Sequence, residues 1–315
     1  VIEHCALFRS RFLGQIAAAP RLRVEALRTR GPEAVRSLSQ LNTVTEWCFQ
    51  HQSTQNALSP TEGQHSEVPD LDGLSVGDLV KVMIRHEGQV GRALQQQAVA
   101  LTSLCGRAGQ ALREGGRIIY FGAGNSAEGA EDDRELGVAD LAALYPTPSD
   151  IVIGIAASGT TPYVLAALES ARELGIATGL VCCNPLVRGI RVDHVVALPT
   201  GAEALPGSTR LNAGTATKVA LNIISTGAMA QSGYIHKGHM VKMRPSNVKL
   251  RARARRMLGL LTGIEEDECT RLLDIAAYEI PIALIMAHGG VAVAEARQRY
   301  NQARGNLRVA LGKDG

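Results

Sequence analysis

Ile151-Val-Ile-Gly-Ile-Ala-Ala-Ser-Gly-Thr-Thr-Pro162 decides how this chain is read. An unbroken apolar run passes into a loop of Ser158, Gly159, Thr160 and Thr161, and Pro162 opens an apolar helical pattern that runs to Leu174 and stops at Gly175. Apolar runs without alternation mark strands covered on both faces, as in parallel sheets. Thr161 is a residue type that caps helices, Pro162 suits a first turn and Gly175 a helix end. A second stretch, Gly207-Ser-Thr-Arg-Leu-Asn-Ala-Gly-Thr-Ala-Thr-Lys218, has the same character and leads into a helix over 216–232. Unpaired N–H groups at a helix start, with hydroxyls beside them, favour an anion such as a sugar phosphate.

Working outward, Arg117-Ile-Ile-Tyr-Phe121 reads as a strand ending in Gly122-Ala-Gly-Asn-Ser126. Further strands are expected over 177–183 and 194–198. The apolar positions Val219, Leu221, Ile223, Ile224 and Met229 suggest that the helix over 216–232 is buried on more than one side. Strand, loop and helix in repetition imply an α/β fold, a parallel sheet sandwiched by helices. Ligands of such sheets sit at the carboxyl ends of the strands, where these loops lie. One long helix is expected from Ser75 to Glu114, with Leu79, Val82, Met83, Val90, Leu94, Ala98 and Leu101 on its apolar face. Beyond Leu250, breaks at Gly263, Pro281 and Gly289-Gly290 predict a small C-terminal helical domain. The expected division is a helical extension of unknown role at 1–57, a sheet domain with arm and helix at 58–247, and the small domain at 248–315.

Bulk properties narrow the function. The 315 residues are 45% hydrophobic but only 3% aromatic, with Trp47 the single tryptophan, so Ala, Val, Leu and Ile build the core. Modules that stack bases on exposed aromatics are disfavoured, and a net charge of +3 is too small to mark a nucleic-acid protein. The basic run Lys249-Leu-Arg-Ala-Arg-Ala-Arg-Arg256 reads as a solvated helix face. Six scattered cysteines without a Cys-x-x-Cys pair point to a reducing, cytoplasmic setting, and no apolar run reaches membrane-spanning length. His236 and His239 have no evident third ligand, so no metal is expected. The opening on Val1 is what a piece of a longer product would show, and Glu3 and Glu25 argue against reading the Arg-rich start as a targeting peptide.

Ordered motifs over about residues 58 to 312 resemble the sugar isomerase (SIS) fold and, within it, the N-acetylmuramic acid 6-phosphate etherases. They include Asp70-Leu-Asp72, Gly116-Arg-Ile-Ile-Tyr-Phe-Gly-Ala-Gly124, Glu128-Gly-Ala-Glu-Asp132, Gly154-Ile-Ala-Ala-Ser-Gly159, Thr161-Pro-Tyr-Val164 and Cys183-Asn-Pro185. Gly207-Ser-Thr-Arg210, Ala213-Gly-Thr-Ala216 and Ser246-Asn-Val-Lys-Leu250 complete the set, and the tail is similar to the family's ubiquitin-associated-like end. Glucokinase regulatory proteins are more distant relatives. The chain departs from the pattern at Thr160, where the family usually has Arg, at Asn212 for a usual Lys and at Lys242 for a usual Asp. The family also has a sizeable stretch between its first Gly-rich loop and the Glu-Asp motif, carrying a strand and one of two catalytic carboxylates. Here Ser126 runs directly into Ala127-Glu-Gly-Ala-Glu-Asp-Asp133. Residues 128–135 are too charged to pack well on a sheet as a crossover, so an additional segment after Ser126 is expected in the natural molecule.

The resemblance implies elimination of lactate from C3 of a phosphorylated amino sugar, then hydration to N-acetylglucosamine 6-phosphate. Glu131 aligns with a catalytic glutamate and is the expected base, with the proton donor in the absent stretch. Ser126, Ser158, Thr160, Thr161, Ser208 and Thr209 are expected to hold phosphate and sugar, and Gly122, Gly124 and Gly159 to let backbone approach the ligand. Arg210 offers a guanidinium to phosphate or carboxylate, or makes a surface ion pair. Asn125 bonds the sugar or holds a turn. The reaction implies no cofactor, and the family implies a homodimer. Two rival functions share these loops: a non-catalytic sugar-phosphate sensor and an aldose–ketose sugar-phosphate isomerase.

Overall fold

The computed structural model describes residues 60–63, 71–122, 131–187 and 189–312. The helical extension expected at 1–57, Asp70, and residues 123–130 lie outside the described residues.

Four parallel strands form the central sheet in the order β1 (Ile118–Gly122), β2 (Ile151–Ile155), β3 (Ala177–Cys182) and β4 (His194–Ala197). Among the described residues three α-helices precede it: α1 (Val76–Glu87), α2 (Gln89–Gln96) and α3 (Ala98–Arg113). The crossovers are α4 (Arg134–Ala142) between β1 and β2 and α5 (Pro162–Glu173) between β2 and β3, while α6 (Asn212–Gln231) follows β4. The α/β sheet with helices on both faces is thus as expected. Strand side chains alternate strictly. Ile118, Tyr120, Ile151, Ile153, Val181 and Val196 pack with α3 and α6, whereas Ile119, Phe121, Val152, Leu180 and Cys182 pack with α4 and α5. Alternation of direction along each strand divides one apolar run between two cores.

Two expectations need correction. The helix expected over 75–114 is three helices, separated at Gly88 and at Gln97, whose φ of −103° and ψ of 14° leave the helical region. The helix expected from Ala216 starts at Asn212. It buries one stripe, Ala213, Ala216, Ala220, Ile224 and Ala228, while Ile223 is exposed. Small residues along that stripe let α6 lie close to α3, so burial on a second side is not required. Between β1 and β2 the described crossover contains α4, which carries Glu135 in its first turn and buries Gly137 and Leu141.

Register at the amino edge of the sheet depends on Asp150, which is 1% exposed. Its carboxylate accepts the Arg117 amide at 2.7 Å, Arg117 Nη2 at 2.7 Å and the Thr147 amide at 2.8 Å. Arg117 also donates to the carbonyls of Leu144 and Tyr145, just past α4, and its own carbonyl accepts the Ile151 amide. One ion pair therefore fastens the start of β1, the end of the crossover and the start of β2.

A separate core lies in the C-terminal part. It is built by α7 (Val248–Thr262), α8 (Glu266–Ile275), α9 (Ile280–Gly289), α10 (Val293–Gln302) and α11 (Leu307–Ala310), with Leu258, Leu273, Ile282 and Leu284 fully buried. Gly263 and Gly290 end α7 and α9 with φ of 78° and 60°. Between α6 and α7 runs a hairpin of β5 (Ile235–His236) and β6 (His239–Met240). No single helix among the described residues is long and apolar enough to cross a membrane.

Burial alone would raise the carboxyl pKa of Asp150, but bonds from the Arg117 side chain and the two amides outweigh it and hold the group below its ordinary value. A depressed folded pKa stabilises the fold above the unfolded value and is lost as pH falls through the folded one. Asp150→Ala is expected to cost about 2–3 kcal/mol in urea unfolding at pH 7, below the full range for a buried pair because Arg117 remains partly in water. The difference between the two proteins should shrink below about pH 4.

Candidate functional site

The carboxyl edge of the sheet carries the loops singled out in the sequence. Pairing continues past β2, since the Ala156 amide donates to the Val181 carbonyl and the Cys183 amide to the Ala157 carbonyl. The chain then turns at Gly159, whose φ is 76°. A Cβ there would stand 2.5 Å from Val187 Cγ2, so both backbone and space require glycine. Asn184 braces the turn by donating through Nδ2 to the Ser158 carbonyl, while its Oδ1 accepts the Leu186 amide. Ser158 Oγ accepts from the Thr160 amide at 3.2 Å and from Thr160 Oγ1 at 3.0 Å.

Thr161 occupies the N-cap of α5, yet its side chain makes no capping bond. Pro162 has no N–H to offer. The amides of Ser158, Thr161 and Val164 have no acceptor among the described residues. This helix start therefore keeps donors and partial positive charge available to an anion.

The second loop differs. Glu203 is fully buried, and its carboxylate accepts the Asn212 amide at 3.0 Å and the Ala213 amide at 2.9 Å. The amides of Gly207, Ser208, Thr209 and Leu211 donate to the carbonyls of Thr61, Leu205, Gly207 and Ser208. The start of α6 is thus occupied by an anion of the protein's own, which also accounts for its beginning at Asn212. What this loop presents are the half-buried hydroxyls of Ser208 and Thr209 and the exposed Arg210, which pairs with no carboxylate among the described residues. Asn212 points inward: it is fully buried and donates to the His86 carbonyl at 3.1 Å.

Glu131 is half-buried, between β1 and α4. Its carbonyl accepts the Tyr163 amide at 3.1 Å, which sets residue 131 against the first turn of α5 and beside the Ser158–Thr161 loop. The neighbouring acids divide in role. Asp133 caps α4 by accepting the Leu136 amide at 2.9 Å, and Asp132 is exposed. Gly122 ends β1 level with Ile155 of β2. The structure thus brings Gly122, Glu131, Ser158, Gly159, Thr160 and Thr161 onto adjacent elements, with Ser208, Thr209 and Arg210 after β4 on the same edge. Gly124, Asn125 and Ser126 lie outside the described residues.

Other singled-out groups sit elsewhere. Lys242 donates to the Ser232 carbonyl, beyond the far end of the 20-residue α6, and its ammonium lies 4.6 Å from the Tyr234 ring centroid. Burial lowers its pKa. His236 and His239 face each other in the β5–β6 hairpin, and no three His, Cys, Asp or Glu among the described residues form a metal cluster. Burial raises the Cys182 thiol to about 11 and pushes Cys183 upward too, so neither is a ready nucleophile. Glu203 and the bracing role of Asn184 were not foreseen from sequence. The one available signal for Glu203 is an acid ahead of a Gly-rich helix start that lacks its own capping residue.

No family model matches the chain. Curated proteins named N-acetylmuramic acid 6-phosphate etherase do. One from Exiguobacterium is 35% identical over 288 residues, covering 80% of this chain and 98% of that protein. One from Geobacillus thermodenitrificans is 36% identical with the same coverage, and one from Salmonella typhi is 38% identical over 80% of this chain and 97% of its own length. Because 80% of 315 residues is about 252, the 288-residue alignments span about 36 positions without a counterpart here.

Removing the Glu203 carboxylate would strand two buried amides. Glu203→Ala is expected to lose about 2–4 kcal/mol, read as a lower urea midpoint.

Proposed function

The chain belongs to the N-acetylmuramic acid 6-phosphate etherase family, and from that premise we propose that it removes the lactyl ether of N-acetylmuramic acid 6-phosphate by elimination and hydration. The observation that carries the residue assignment is the Glu131–Tyr163 hydrogen bond. It seats a carboxylate-bearing residue beside a helix start whose amides are open, as a base next to a phosphate site requires.

In this reading Ser158, Thr160 and Thr161, with the opening amides of α5, hold the 6-phosphate. Gly122 and, after it in the sequence, Gly124, Asn125 and Ser126 are assigned to the sugar, while Ser208, Thr209 and Arg210 grip the sugar or the lactyl carboxylate. Ring opening exposes an aldehyde at C1 and makes the C2 proton acidic. Glu131 takes that proton, the C3–O bond breaks and a second acid protonates the departing lactate oxygen. Water then adds across the C2–C3 double bond, giving N-acetylglucosamine 6-phosphate and D-lactate. Elimination and hydration balance without any oxidation or reduction, so no redox cofactor is called for. The proton donor is assigned to a segment that follows Ser126 in the natural molecule, an assignment supported by the alignment shortfall of about 36 positions. The working protein is proposed to be a cytoplasmic homodimer in cell-wall sugar recycling, giving twice the chain mass by light scattering.

Incubation with the substrate in D2O, followed by assays for D-lactate and for deuterium at C2, tests the reading. Lactate release should fall about a thousandfold in Glu131→Gln. Intact-mass measurement of the natural protein should exceed 33.4 kDa. Absence of both lactate and C2 deuterium with the parent protein would sink the proposal.

A further inference from the structure

We propose that Tyr163 and Asp140 are positioning residues, which together with Gly137 clamp α4 to the first turn of α5 and so fix where Glu131 stands. The inference rests on the reading of Glu131 as the base.

Tyr163 is bonded in two directions. Its amide donates to the carbonyl of Glu131 itself, at 3.1 Å. Its hydroxyl donates to Asp140 Oδ2 on α4, at 2.9 Å. The residue is 8% exposed, and its ring packs 5.8 Å from that of Phe121, the residue before Gly122 at the end of β1. The segment from Glu131 to Asp140 is therefore anchored at both ends on one side chain and its backbone. Asp133 stiffens the middle by capping α4.

Gly137 makes the clamp possible. A Cβ at this position would stand 2.2 Å from the Tyr163 carbonyl oxygen, so the two backbones touch with no room for a side chain. Asp140 lies three residues further along, on the same face of α4. An exposed ion pair of Arg134 with Glu169 also joins the two helices, but such pairs contribute little.

Proton abstraction from carbon demands a base held close to the C–H bond. A displacement of about 1 Å from a distant change costs up to a hundredfold in rate. Loss of the phenol or of its acceptor removes the side-chain hydrogen bond that ties α4 to the first turn of α5. The base would then wander while the phosphate loop, held separately by Asn184, stays in place.

The test uses Tyr163→Phe, Asp140→Ala and Asp140→Asn in the full chain. For Tyr163→Phe and Asp140→Ala, kcat for lactate release should drop about tenfold or more with KM nearly unchanged, because substrate grip is separate from base placement. Asp140→Asn retains an oxygen that accepts the phenol and should keep most of the parental kcat. Amide hydrogen exchange at residue 163 should quicken about tenfold in the two weakened variants and stay parental in Asp140→Asn. A parental kcat in Tyr163→Phe and Asp140→Ala, or unchanged exchange at residue 163, overturns the clamp. A merely structural role would instead lower the unfolding midpoint without splitting kcat from KM. Loss of lactate release in the parent itself would strike at the etherase reading, and the exchange measurement still judges the clamp.

Discussion

The buried carboxylate of Asp150 is the interaction on which the rest of the sheet depends. It takes four donors from two segments, and Arg117 spreads the same contact to the end of the crossover. Parallel strands have no hairpin to set their register, so something at the strand starts must do so. With Arg117 and Asp150 locked, β1 and β2 run in step to Gly122 and Ile155 at the opposite edge. The loops that leave there begin from fixed heights. Burying a carboxylate is costly, and the donors around it offset that cost only in this one arrangement.

At the opposite edge the two helix starts that look alike in sequence are chemically different. The start of α6 is satisfied by Glu203, a carboxylate supplied by the chain itself. The start of α5 holds a proline, a threonine that makes no capping bond, and amides without acceptors among the described residues. One helix thus serves as a fixed wall that presents hydroxyls and Arg210. The other keeps its electrostatic attraction for a ligand. Glu131 stands beside the open one.

Much of this was legible beforehand. Every strand of the parallel sheet lay within a residue or two of its apolar run, because a strand covered on both faces is apolar along most of its length. The glycines at 159, 175, 263 and 290 marked turns that adopt positive φ. The helix start of α6 was misread because its capping carboxylate lies nine residues upstream, outside any local pattern. The breaks at Gly88 and Gln97 escaped because an apolar face continues across them.

The sequence alone determined the α/β class, the family and the types of residue gathered at the strand ends, since period, turn chemistry and motif order are local properties of the chain. Tertiary structure decided which hydroxyls and amides remain open, which acid caps a helix and which stands beside the loop. It also decided that Tyr163 joins the residue 131 backbone to α4. Those are questions of hydrogen-bond partners distant in the chain, and a donor's partner is settled only when the backbone that carries it has been packed.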